Sequence, residues 1–172
     1  MYTEYQPSHL LAPYIDNYWE LKGSPEYGMR IHILPDGCTD FIFTLGEVAE
    51  TVEKESLIMQ PYRSYFVGPM TKFSELVTYA ESVHMFGIRF LPCGLSCFTK
   101  LPLHEFVNSR INTKEMRAVF DDTFVERLCG QEHIEGRIQL VEGYLLAYLA
   151  RHYQSADSHV AMAVNMINQS GG

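Results

Sequence analysis

The stretch Ile33–Glu47, "ILPDGCTDFIFTLGE", decides how the first half of this chain folds. A Pro-Asp-Gly-Cys turn separates two apolar runs. Asp-Gly favours the two-residue type I′ turn of a β-hairpin, so the stretch predicts a hairpin centred on Asp36-Gly37. In that register Pro35 faces Cys38, Ile33 faces Asp40 and His32 faces Phe41. Alternation then places Cys38 and Asp40 on one side of the sheet, with Thr39, Phe41 and Phe43 on the other.

Working outward, the same period of two recurs. Upstream, "YIDNYWELKG" reads as a strand with Tyr18 and Glu20 on one face and Trp19 and Leu21 on the other. Before it, Ser8 caps a short helical turn, His9 to Ala12, that Pro13 stops. Downstream, residues 48–65 are polar and loop-like, with an edge strand over Ser56–Gln60. "YFVGPM", "FSELVTYA" and "VHMFGIRFLP" follow as further strands. In the last, His84, Phe86, Ile88 and Phe90 share one face, while Val83, Met85, Gly87 and Arg89 share the other. Six or seven short strands with turn punctuation predict an antiparallel sheet or barrel.

The period then changes. "LPCGLSCFTKLPLHEFVNSRI" reads as a short helix and a loop. From Thr113 the apolar positions Met116, Phe120, Phe124 and Leu128 recur every four residues, with Gly130 at the C-cap position. A longer amphipathic helix runs from Ile134 to Tyr153. A third starts at Asp157, with Val160, Val164 and Ile167 inward. The expected class is α+β: an antiparallel β-sheet or cupin-like barrel, then about three α-helices.

Composition supports a folded core without staples. Of 172 residues, 47% are hydrophobic and 20% charged. The net charge is -8, from 13 Lys and Arg against 21 Asp and Glu, which excludes a concentrated basic face for phosphates. No basic-then-apolar leader opens the chain, and no run approaches the roughly 18 apolar residues of a membrane span. With no such leader ahead of them, the four cysteines, at 38, 93, 97 and 129, suit reduced thiols and a cytoplasmic location.

Several constellations could carry chemistry. Cys38, Asp40 and His32 are close in sequence, but the hairpin register separates His32 from the other two, and Cys38 is expected as a buried thiol. Cys93 and Cys97 have zinc-compatible spacing without a second pair, and read as small core residues. The histidines include no H-x-H pair, so neither a cupin-type metal site nor any cofactor is expected. No G-x-S-x-G elbow or phosphate loop is present. What remains is aromatic. A sheet closing around many rings can enclose an apolar ligand cavity. The candidate lining is Trp19, Phe41, Phe43 and Phe86, with Arg89 either recognising an anion or standing ion-paired on its strand.

With these residues in view, the chain resembles the N-terminal region of AraC-family bacterial transcription regulators. The segments "YQPSHLLAPYIDNYW", "ILPDGCTDFIFTLGE", "FVGPMT", "FGIRFLPCGL" and "LPLHEFVN" carry the resemblance in that order. It implies an effector-sensing or dimerising domain over residues 1–154. Residues 155–172, "DSHVAMAVNMINQSGG" with the two before it, then correspond to the first helix of a truncated helix-turn-helix domain. The implied partners are an unidentified small-molecule effector, a second copy of the chain through helix 134–153, and promoter DNA through the missing C-terminal part only. The expectation is a non-enzyme. The alternative is a small cupin-like or thiol-dependent enzyme using Cys38 with Asp40 or His32, which requires an accessible thiol with a depressed pKa.

Overall fold

The computed structural model describes residues 1–26, 28–33, 35–46, 49–51, 58–115, 119–152 and 166. Among the described residues, ten strands form two antiparallel sheets. The larger contains β1 (Tyr2–Tyr5), β2 (Ile15–Gly23), β4 (Thr39–Thr44), β7 (Ser64–Val67), β9 (Val83–Phe90) and β10 (Arg110–Asn112), in the order β1-β2-β9-β4-β7-β10. The smaller contains β3 (Met29–Ile33), β5 (Ala49–Thr51), β6 (Ile58–Met59) and β8 (Ser74–Thr78), in the order β3-β8-β5-β6. Most neighbours are distant in sequence, as in double-sheet jelly rolls. Among the described residues the strands form two sheets rather than one continuous barrel.

The predicted Asp36-Gly37 hairpin does not form. β3 pairs with β8, so Ile33 lies opposite Ser74 and His32 opposite Glu75. β4 pairs with β9 and β7, so Asp40 lies opposite Arg89 and Val67. Asp36-Gly37 is instead the corner where the chain leaves the smaller sheet for the larger. Gly37 adopts φ +70°, and the Cys38 N–H donates to Asp36 Oδ1 at 2.9 Å, closing an Asx turn. All six β4 residues are buried, so a single hairpin partner cannot satisfy that strand. It takes a neighbour on each edge.

The helical region also differs from the expected pattern. Among the described residues between β9 and α1 there are three short 3₁₀ turns, at Gly94–Cys97, Leu103–Phe106 and Thr113–Glu115. Of the helix expected from Thr113, Met116 lies outside the described residues, and the described helical part is α1 (Asp122–Cys129), where Asp121 Oδ1 accepts the Phe124 N–H at 2.8 Å. That cap satisfies an otherwise orphaned donor and sets the start. α2 spans Ile134–His152, close to the expected range. The described residues thus contain two α-helices rather than about three. The third predicted helix, from Asp157, lies outside them apart from Met166. β1, β5 and β10 were not anticipated; each is three or four residues long, too short for a period to register.

The two faces of the larger sheet have different neighbours. Tyr18, Phe41, Phe43, Phe66, Phe86 and Phe90 turn to one side and pack with α1 and α2 through Phe120, Phe124, Val141 and Leu145. Trp19, Ile42, Tyr65, Val67, Met85 and Val83 turn to the other and pack with Met59 of the smaller sheet. Two links beyond apolar contact tie α2 to β2. Glu142 Oε1 accepts from the Ser8 N–H at 2.7 Å and the Tyr18 hydroxyl at 3.4 Å. Arg137, only 4% exposed, donates to Glu20 Oε1 at 3.2 Å and to the carbonyls of Gln131 and Glu132. His84 Nε2 shares that Glu20 oxygen at 2.8 Å.

Candidate functional site

The face between the sheets holds a polar end and an apolar end. At the polar end, cross-strand register lines up Asn17, Arg89, Asp40 and Val67 in one row across β2, β9, β4 and β7. The Trp19 indole N–H donates to Asp40 Oδ1 at 3.0 Å, and Arg89 Nε donates to the same oxygen at 3.3 Å. The Arg89 guanidinium also lies 3.6 Å from Asp36 Oδ2. Beside them the Asn17 amide donates to Asp16 Oδ2 at 2.9 Å, while its own oxygen is buried with no partner among the described residues.

Trp19 reaches Asp40 because β9 has no side chain beneath it. Trp19 and Gly87 are register partners, and a Cβ on Gly87 would fall 1.9 Å from the indole ring. A glycine inside a strand is the signal of such a close approach. Tyr2 from β1 covers the other side of the indole, with centroids 6.0 Å apart.

The electrostatics follow from this burial. Burial raises the Asp40 carboxyl above its usual range, more than Arg89 and Trp19 offset. For Arg89, burial opposes the charge, but Asp40 and Asp36 outweigh it and raise the pKa. The Asp40 shift sets a sign for stability against pH. An acid with a raised folded pKa binds protons more tightly when folded. Its contribution is therefore fully present below the ordinary carboxylate pKa and is lost as pH rises toward the folded value. Denaturation at pH 4 and pH 7 should show wild type gaining relative to Asp40→Asn at the lower pH. An unchanged difference between the two proteins would count against a raised Asp40 pKa.

The surroundings of Cys38, which is half-buried rather than fully buried as expected, do not favour the thiol-dependent alternative. His32 sits in the smaller sheet opposite Glu75, away from the β4 strand that carries Asp40. Burial, followed by the Asp36 charge, pushes the Cys38 thiol up to about 12, the opposite of an activated thiolate. Cys93 corrects the expectation of a core residue, since it is exposed at φ +64°, with Cys97 half-buried. Iodoacetamide at pH 7.5 should modify Cys93 well before Cys38; preferential labelling of Cys38, read by peptide mass spectrometry, would reverse this assignment. Among the described residues no group of three or more His, Cys, Asp and Glu side chains is arranged to hold a metal. No helix among them is long and apolar enough to cross a membrane.

At the apolar end, where β2 and β9 reach Gly23 and Val83, a cleft of about 180 Å³ opens between the sheets. Leu21 and Val83 line it from the larger sheet, Met29 and Thr78 from the smaller, with Pro25 and Met1 at the rim.

The five residues expected to line a ligand site do not share one surface. Phe41, Phe43 and Phe86, all 0% exposed, belong to the sheet–helix core. Trp19 and Arg89 lie on the opposite face, joined through Asp40. Arg89 stands ion-paired to two carboxylates. Sequence reasoning missed Asn17 and the pairing of Asp40 with Trp19; Gly87 within an apolar strand was the available signal for the second.

One similar solved structure is a 1.9 Å crystal structure of the cupin_2 domain of an XRE-family transcriptional regulator from Enterobacter cloacae. It shares 14% identity, covering 54% of this chain and 96% of that one, with a TM-score of 0.43. At that level the likeness says nothing about ligand or activity. No curated protein matches the sequence. A family model does match, over residues 3–112, from β1 to the end of β10, and by that match the chain belongs to the family described as domain of unknown function DUF6597.

Proposed function

We propose that this domain is the sensory and dimerising unit of an AraC-type transcription regulator, with residues 155–172 corresponding to the first helix of its helix-turn-helix domain. The observation carrying this reading is the attachment of α2 to β2. Neighbouring residues of β2 face opposite ways: Trp19 points between the sheets, and Glu20 points to Arg137 at the start of α2. A molecule bound between the sheets that displaces β2 therefore changes the seat of α2. The helix then alters the placement of whatever follows it. The mechanism is a population shift, limited by the ligand's differential affinity for the two seats. The ordered segments that resemble AraC-family regulators support the same reading. α2 is the proposed dimer contact, two-fold association being the commonest oligomer.

The test uses a polypeptide that continues from this domain into helix-turn-helix units. Sedimentation velocity should give a dimer, and a gel shift should give binding to DNA upstream of its own gene that weakens as salt rises. A monomer without affinity for that DNA would overturn the proposal.

A further inference from the structure

We propose that the cleft between Gly23 and Val83 is the effector site, and that it takes a small, largely apolar molecule of monocyclic-aromatic size. This rests on the regulatory reading above and names the ligand class for it. A cavity of roughly 150 Å³ with an aliphatic lining holds a benzene-sized molecule. Here the cleft measures about 180 Å³ and is lined by Leu21, Val83, Met29 and Pro25. Its polar groups are few: Thr78, whose hydroxyl already accepts the Ala80 N–H at 3.2 Å, the Met1 ammonium, which donates to the Lys22 carbonyl, and Ser24 and Lys22 at the rim. A strongly hydrated or multiply charged ligand would lose more solvation here than these groups return.

The opposite end of the same face is a poorer receptor. Trp19 and Arg89 there already donate to the same Asp40 oxygen, so the buried Asn17 oxygen is the group left without a partner among the described residues. Met29 is 39% exposed and Met1 86% exposed, so two flexible thioethers stand at the mouth of the cleft. Unbranched methionine adapts to varied apolar shapes. Leu21 and Trp19 lie two residues apart on β2, on the same face, and Val83 packs in the same cluster as Trp19. Occupancy beside Leu21 therefore bears on the strand that carries Glu20 to Arg137.

The 172-residue chain, labelled with methyl-¹³C methionine, is titrated with toluene and separately with glycerol. Toluene should shift the Met29 and Met1 methyls saturably, with a Kd on the order of 1 mM for so small a ligand. Met59 and Met70, buried in the core, should hold their positions, and glycerol should shift nothing. Val83→Phe fills the cleft and should weaken binding at least roughly ten-fold. Ser24→Phe, at an exposed rim position, gives the same readout if Val83→Phe does not fold. No saturation, equal shifts at every methionine, or unchanged affinity in the folded filled variant overturns the site. Promoter binding and dimerisation without a toluene response would remove the cleft and leave the regulator. A saturable response without DNA binding in the longer polypeptide would do the reverse.

Discussion

Replacing Gly87 with alanine should destabilise the domain by roughly 2–5 kcal/mol, from overpacking together with a broken buried hydrogen bond. The added Cβ would lie 1.9 Å from one indole carbon of Trp19, 2.2 Å from another and 2.3 Å from Nε1. Gly87 is buried in the middle of β9 and is hydrogen-bonded to strands on both sides, so the backbone cannot retreat. The indole must move instead. Its N–H then leaves Asp40, whose buried carboxyl keeps only Arg89 on that oxygen. Trp19 is the chain's one tryptophan, so its emission reports the displacement directly. Urea denaturation of wild type, Gly87→Ala, Trp19→Ala and the double variant closes a thermodynamic cycle. Alanine at position 87 should cost little once Trp19 is already alanine. An equal cost in both backgrounds would mean that the indole is not what the glycine accommodates.

Replacing Phe43 with alanine should cost about 3–5 kcal/mol, the range for deleting a fully buried phenyl group. Phe43 has no exposed surface and meets Phe86, Phe120 and Phe124 with centroids 6.1, 5.8 and 6.4 Å away. It therefore joins the sheet to α1. A domain of ordinary stability has only about 5–15 kcal/mol in total, so the variant should melt markedly lower. The same measurement distinguishes a core ring from a ligand wall. A variant that keeps its melting temperature and loses only ligand binding would return Phe43 to the pocket.

These two residues mark how far the sequence alone determines the faces of the sheet. The alternation in "VHMFGIRF" assigned Phe86 and Gly87 to opposite faces, and the structure keeps that assignment. It could not say which face met helices and which met a second sheet, because both are apolar. Phe41, Phe43 and Phe86 were expected at a ligand for that reason. Period alone does not distinguish burial under a helix from burial around a cavity.

The stretch Ile33–Glu47 marks the same boundary. Its own residues determined two strands, a turn at Asp36-Gly37 and the opposite orientations of Asp40 and Phe41. Those are local outcomes of backbone sterics, turn chemistry and side-chain alternation. The partner of each strand was a tertiary decision. A local hairpin has the lower closure entropy. It would leave a strand as apolar as β4 with an unpaired edge, whereas β7 and β9 cover both edges. Burying those hydrogen-bonding edges along with the Phe41 and Phe43 rings outweighs the short loop. Only the packed sheet could therefore set Asp40 beside Arg89 and Trp19, and β3 in the other layer.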